Sequence, residues 1–222
     1  MIKRKNILKI AIDSPAAAGA GTLAKAISKY YSLFYLDTGK IYRFIAYLKI
    51  KFPKKFNNKF IKSKIKLLKI KDLTDQNLLS DEVGTEASII SKIKSLRKMV
   101  HSFQINFAYN PPKKYKGSCL DGRDITYNII PDADFKFYIT ANVKTRALRR
   151  YKELKGLKKK ITYPEVLKSI KKRDKSDLNR KVSPLKKTKD SLLINTTNLN
   201  KRSCFLKIKK IIDRKKIING NL

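Results

Sequence analysis

The sequence predicts an α/β domain, a parallel sheet wrapped by helices. Apolar runs of strand length alternate with helical spacing along most of the chain. The first such run ends in a loop of small residues that leads directly into a helical pattern. At 222 residues and 42% hydrophobic content, the chain can bury a core of its own as one main domain with small appendages.

The elements follow in order. Ile7 to Ile12 is a strand closed by Asp13, and Leu23, Ala24, Ile27, Tyr30 and Tyr31 recur at helical spacing, so the first helix is expected from about Ala20 to Tyr31. Phe34 to Leu36 is a brief strand, and Ile41, Phe44, Ile45 and Leu48 mark a second amphipathic helix. Between Lys51 and about Asp81 the pattern becomes a lysine-rich alternation through Phe60, Ile61, Ile65, Leu67, Leu68 and Ile70, which predicts a half-exposed, strand-bearing insert. Helical spacing returns at Ile89, Ile90, Ile93 and Leu96, then at Val100, Phe103 and Phe107, until Pro111 and Pro112 stop it. Gly117 to Leu120 and Phe135 to Ile139 read as buried strands. Val143 to Leu154 and Tyr163 to Ser176 read as helices separated by Lys155 to Thr162. A last strand at Ser191 to Ile194 precedes a basic helix lined by Phe205, Ile208, Ile211 and Ile212.

With 54 Lys and Arg against 17 Asp and Glu, the net charge is +37. Such a chain attracts polyanions without any specific site, so nucleic-acid binding is one reading and a solvated basic surface the other. The lysines are spread through the whole chain and no zinc-finger, RRM or KH signature accompanies them, so only nonspecific association with nucleic acid is expected. No apolar run approaches bilayer length, and Ile7 to Ile12 is cut short by Asp13 before it could act as a signal-peptide core. The expected compartment is the cytosol, with no membrane partner. Cys119 and Cys204 fit no metal spacing and read as reduced thiols.

The stretch Ser14, Pro15, Ala16, Ala17, Ala18, Gly19, Ala20, Gly21, Thr22 lies where a phosphate-binding loop belongs, between a strand and a helix. Such a loop turns consecutive backbone N–H groups around a phosphate at a helix N-terminus, and small side chains let the anion approach the backbone. Measured against G-x-x-x-x-G-K-[ST], only Gly19 matches cleanly: Ser14 replaces the first glycine and Ala20 the lysine. Taken alone, the stretch also fits a plain strand-to-helix turn.

Further motifs decide between these readings. Ile10 to Leu23, IAIDSPAAAGAGTL, resembles the opening of bacterial cytidylate kinases, where the loop runs D-G-P-A-x-x-G-K-G-T. Tyr35 to Arg43, YLDTGKIYR, resembles the family's Y-L-D-T-G-x-x-Y-R segment. Leu120 to Ile125 followed by Pro131, Asp132 and Ala133 resembles D-G-R-D-I-G-x-x-x-x-P-D-A. A fourth match pairs Arg173, Asp174, Asp177, Asn179 and Arg180, then Ser183, Pro184 and Leu185, with R-D-x-x-D-x-N-R-x-x-x-P-L. The resemblance implies a P-loop nucleoside monophosphate kinase core with a five-stranded parallel sheet. That core would span 1–50 and 84–222, with an NMP-binding insert at about 51–83 and a short lid at about 155–165, all in one domain.

The activity implied is transfer of the γ-phosphate of ATP to CMP or dCMP, with Mg²⁺ accompanying ATP and a monomer expected. Residues 14–22 and Arg150 would bind ATP, with Thr22 near the metal. Asp37, Thr38, Arg43 and Arg123 would serve the acceptor phosphate region, while Ser88, Arg97 and Asp124 would read cytosine. Arg173 and Asp177 would sit at the acceptor nucleotide, with the carboxylate on the ribose hydroxyls, and Arg180 would approach the phosphates. Arg123, Arg173 and Arg180 are thus the expected catalytic residues. Arginine offers a permanent charge and bidentate hydrogen bonding to phosphate, and a carboxylate accepts from the amine that separates cytosine from uracil. The departures are Ser14, Ala17, Thr126, Ser176 and above all Ala20, which removes the lysine that bridges donor phosphates. A nucleotide-binding pseudokinase is therefore the alternative within the fold. Lys25, five residues along the helix, faces elsewhere, and an arginine among Arg146, Arg149 and Arg150 is the better substitute.

Overall fold

The computed structural model describes residues 7–157 and 160–218. The ends of the expected 1–222 domain and residues 158–159 of the expected lid lie outside the described residues.

Strand β1, Leu8–Asp13, has Ile10, Ala11 and Ile12 fully buried, because both sheet faces are covered there. It lies at the centre of a five-stranded sheet of order β2-β3-β1-β4-β5, where β2 is Leu33–Asp37, β3 Gly117–Gly122, β4 Phe135–Thr140 and β5 Leu192–Asn195. Every pairing is parallel, as the alternation of strands and helices predicts. The register aligns Asp13 with Gly122 and Asp37 with Asp121, so the carboxyl ends of β1, β2 and β3 form one acidic edge. The chain order reverses across β1, and ligands bind outside the strands' carboxyl ends at such a switch point.

Helices α1, Ala20–Tyr30, and α8, Lys201–Ile218, cover one face, where Leu23, Ala24, Ile27, Cys204, Ile208 and Ile212 pack on Ile10, Ile12 and Phe137. The other face carries α2, Thr38–Lys51, and α5, Lys94–Tyr109, over Ala11, Leu36 and Leu120. Each fully buried Ile contributes about 1.5–3 kcal/mol, so these two layers hold the sheet. Helices α6, Val143–Gly156, and α7, Tyr163–Asn179, form a separate hairpin with its own cluster of Ala147, Leu154, Val166 and Ile170.

The strand-bearing insert is a correction. Asn58–Leu67 is helix α3, followed by 3₁₀ turns at Ile70–Thr74 and Gln76–Leu79. Ile61, Ile65 and Leu68 share its buried face, and Asn57 caps it by accepting from Phe60 N–H at 2.9 Å. The lysines between those residues imitate the two-residue period of a strand. The helical run from Ile89 to Phe107 is likewise two helices, α4, Asp81–Ile90, and α5, separated by a turn at Ser91. Directly after β3, Ile125–Ile129 forms a π turn closed by Ile130 N–H on Ile125 C=O at 2.8 Å, with no sequence signal for it. No helix among the described residues is long and apolar enough to cross a membrane.

Candidate active site

The loop after β1 has the shape its small residues permit. Ala17 is left-handed at φ 58° and Gly19 at φ 87°, the latter ending the loop where α1 begins. Glycine tolerates that conformation without penalty and alanine does not. Ser14 N–H is tied to Gly122 C=O at 3.2 Å, which fixes the loop to β3. The loop from Ser14 to Thr22 forms one wall of a cavity of about 1400 Å³, whose other walls include Asp37, Arg43, Ser88, Arg123, Arg150 and Arg173. Donor and acceptor candidates thus face a common space. Ala20 lines this cavity and is only 4% exposed, because it also packs with Ala18, Leu23 and Ala24. Lys25 lies over the Tyr35 ring at 5.9 Å, lining a separate depression, and is no substitute for a lysine at position 20.

The arginines ahead of the lid divide into two kinds. Arg150 lines the cavity and pairs with Glu153 at 3.0 Å. Arg146, outside the cavity, and Arg149, which also lines it, hold backbone carbonyls, Arg146 those of Ala141 and Ala16, and Arg149 that of Thr196.

On the acceptor side, Thr38, Arg97, Asp124, Asp177 and Arg180 are buried behind the cavity wall. Arg97 ion-pairs with Asp124, whose Oδ2 also accepts from Asn128 Nδ2 at 2.8 Å. Arg123 Nε donates to Asp177 at 2.7 Å, while Arg173 and Arg180 each approach Asp177 at 3.9 Å. Burial opposes ionisation of Asp177, yet Arg123 and Arg173 hold its carboxyl below the usual range. Enclosure and repulsion from Arg123, Arg43 and Arg150 lower Arg173 to about 10, so it keeps its charge at neutral pH. Three arginines around one aspartate, with Arg43 and Arg150 adding repulsion at Arg173, make a site for a multiply charged anion. Arg180 Nη1 reaches Ser91 Oγ at 3.3 Å, and its Nη2 is buried with no hydrogen-bond partner. Thr38 Oγ1 donates to Asp121 C=O at 2.8 Å, and Arg43 Nη1 donates to Leu78 and Ser80 C=O at 2.7 and 3.1 Å.

Several residues that shape the site escape the motif reading. Asp13 accepts from Ile125 N–H, Thr126 N–H and Thr126 Oγ1 at 2.8, 3.0 and 2.6 Å, and so holds the turn after Asp124 against the phosphate loop. Burial pushes its carboxyl up to about 6 against those hydrogen bonds. Thr126, a departure in sequence, supplies two of them, one from the side chain that a glycine would lack. Asp121 is pushed up to about 8 by burial and by Asp37, and its Oδ1 is buried with no hydrogen-bond partner. Gly84 lets Arg43 cross α4, since a Cβ there would stand 2.8 Å from Arg43 Nη2. Asp13 and Asp121 had a signal, each at the carboxyl end of a strand inside a matched motif; Gly84 had none.

The cytidylate kinase family model matches residues 10–214. Among curated relatives, the cytidylate kinase of Bartonella tribocorum is 42% identical over 88% of this chain and 90% of its own. That of Mesomycoplasma hyopneumoniae strain 7448 is 35% identical over 94% of both chains. Clostridium tetani contributes another, 38% identical over 92% of this chain and 93% of its own. Among solved structures, an uncharacterized protein from Eubacterium ventriosum shares the fold, with a TM-score of 0.54 at 16% identity over 93% of this chain and 98% of that one. The extent of the family match and the level of identity across nearly the whole chain show that this chain belongs to the cytidylate kinase family.

Proposed function

We propose that the chain transfers the γ-phosphoryl group of ATP to CMP or dCMP, with the loop 14–22 and Arg150 on the donor and the arginine cluster on the acceptor. The observation that supports the acceptor most directly is Asp124. Arg97 and Asn128 converge on its Oδ2, which leaves Oδ1 to accept from the 4-amino group of cytosine. Because Asp124 is 4% exposed, the base reaches it only as the turn at Ser91 or the Arg97 side chain gives way. Uracil would set a carbonyl against that carboxylate, a mismatch of about 1–3 kcal/mol.

An oxygen of the acceptor phosphate attacks the γ-phosphorus as the bond from that phosphorus to the β-bridging oxygen breaks. The nucleophile is already an anion, so no base is required, and positioning and charge stabilisation carry the reaction. Arg123, Arg173 and Arg180 would steady the acceptor phosphate against the transferring group. Asp177 would take the ribose hydroxyls, with Ser88 beside the base and Arg43, Asp37 and Thr38 below the phosphate. The α6–α7 hairpin would close over the donor and exclude water.

Magnesium fits the acidic edge, because a buried, unpartnered oxygen of Asp121 beside Asp37 is a donor set that a hard cation would complete. Thr22, Asp37 and Asp121 would hold it, and when bound it neutralises charge on the donor phosphates.

An ADP-release assay over CMP, dCMP, UMP, AMP and GMP tests the reading. CMP and dCMP should be preferred over UMP by about 5- to 150-fold, from the mismatch above. Equal turnover of CMP and UMP would remove the role of Asp124, and absence of transfer to every acceptor would remove the catalytic reading. Binding to nucleic acid should be weak and fall steeply with salt.

A further inference from the structure

The phosphate loop has lost its one cationic side chain, so its backbone N–H groups must do more of the work, and their orientation becomes decisive. In a trans peptide the C=O and the following N–H point in opposite directions, and the described residues contain no cis bond. Whatever fixes a loop carbonyl therefore fixes the next N–H. Two loop carbonyls are fixed from outside the loop. Arg146 Nη1 donates to Ala16 C=O at 2.9 Å, and Thr196 Oγ1 donates to Ala18 C=O at 3.2 Å.

Neither holder is loose. Arg146 is buried and engages all three guanidinium nitrogens, with Nε on Ala141 C=O at 2.8 Å and Nη2 on Asp174 Oδ2 at 2.6 Å in addition to the Nη1 bond. A fork held at three points is fixed in direction, and Arg146 stands outside the lining of the cavity. Thr196 is held by Arg149, whose Nη1 meets Thr196 Oγ1 at 2.9 Å and whose Nη2 meets Thr196 C=O at 2.6 Å. The peptides concerned are Ala16–Ala17 and Ala18–Gly19. Their N–H groups, on Ala17 and Gly19, donate to no acceptor among the described residues. Ala16 to Gly19 all line the cavity, whereas Arg146 does not.

We propose that Arg146 directly, and Arg149 through Thr196, are positioning residues that turn the N–H groups of Ala17 and Gly19 toward the donor phosphates. This rests on the reading of residues 14–22 as the donor loop. It gives the two arginines a role distinct from that of Arg150: Arg146 stands outside the cavity, and Arg149, which lines it, is occupied with Thr196. Asp174 extends the brace to α7, the helix that also carries Arg173 and Asp177, so donor loop and acceptor helix share one ion pair.

The test follows the amide resonances of Ala17 and Gly19 in ¹⁵N-labelled protein during ADP titration, with ADP and CMP affinities measured alongside by calorimetry. In the unaltered chain both amide protons should move downfield as they meet phosphate. Arg146→Lys keeps the charge but not the fork. It should shrink the Ala17 response, spare that of Gly19, weaken ADP about tenfold, the size of one charge-assisted hydrogen bond, and leave CMP affinity within about twofold. Thr196→Val should do the reverse to the two amides. Should Arg146→Lys fail to fold, Asp174→Asn, which loosens the same fork, is expected to give the same selective loss at Ala17 to a smaller degree. The proposal is overturned if the Ala17 response and ADP affinity survive loss of the fork, or if every variant weakens both amides equally. If the unaltered chain shows no ADP response anywhere in residues 14–22, the donor-loop reading fails and the proposal with it; selective failure in the variants alone refutes only the brace.

Discussion

Restoring lysine at position 20 is the sharpest test of how this enzyme works without one. Ala20 is the first residue of α1 and contacts the cavity on one side and Ala18, Leu23 and Ala24 on the other. A lysine stem can leave along the cavity side, so overpacking should cost near the low end of its range, about 1 kcal/mol, and lower Tm by about 2–4 °C. Against this stands the gain in the transition state. A preorganised donor aimed at developing phosphate charge is worth about 10²- to 10³-fold in rate, or about 2.7–4 kcal/mol. Ala20→Lys should therefore raise kcat by about that factor, less whatever Arg150 already supplies from the same cavity. The KM for CMP should stay within about twofold, since Asp124 and Asp177 lie behind the cavity wall and are held by Arg97 and Arg123 respectively, not by the loop. Steady-state kinetics of the unaltered chain, Ala20→Lys, and Ala20→Lys with Arg150→Ala would separate the contributions. If the double variant loses nothing relative to Ala20→Lys, Arg150 has no part in the donor site. If the unaltered chain transfers no phosphate and Ala20→Lys does not restore transfer, the electrostatic account of the defect is wrong.

Other outcomes follow from single positions. Ala17 holds φ 58°, a conformation that costs an alanine about 1–2 kcal/mol. After allowance for the flexibility that glycine adds to the unfolded chain, Ala17→Gly should raise Tm by about 1–4 °C, and a fall in calorimetry would refute the assigned backbone. Gly84→Ala would drive a Cβ to within 2.8 Å of Arg43 Nη2 and displace that guanidinium, so the KM for CMP should rise about tenfold while that for ATP stays constant; equal KM values would show that Arg43 has no acceptor role. The Asp177 carboxyl is held below its usual range, so its pairing with Arg123 stabilises the fold at neutral pH. That stability is present above the pKa of an unfolded aspartate and is lost as pH falls through the lower folded value. Asp177→Asn should abolish this acid-side loss in denaturant titrations, and an unchanged pH profile would deny the pairing.

The parts of the fold legible in the sequence are those whose cause is local. Strand β1 announces itself because Ile10, Ala11 and Ile12 must be apolar on both faces, and the arginines at 123, 173 and 180 lie inside motifs a few residues long. Helix α3 was legible in principle from Ile61, Ile65 and Leu68, but the lysines between them imitate a half-exposed strand. What sequence spacing does not carry is any contact whose partners are distant along the chain. Gly84 makes room for Arg43 across 41 positions, and Arg146 finds the Ala16 carbonyl across 130. No window of sequence contains both ends of either contact.

The same asymmetry explains why the loop reads as defective and yet keeps its shape. A lysine is visible in sequence, so its loss is conspicuous. The groups that set the loop's curvature are a left-handed Ala17 and Gly19, a carbonyl held by a guanidinium from α6, and another held by a threonine after β5. None of these depends on the side chain at position 20. Loss of the lysine therefore removes one charge from the donor site without removing the peptide geometry that receives the phosphates. On this account the acceptor arginines still have a reaction to serve, and the cost of Ala20 falls on rate more than on nucleotide recognition.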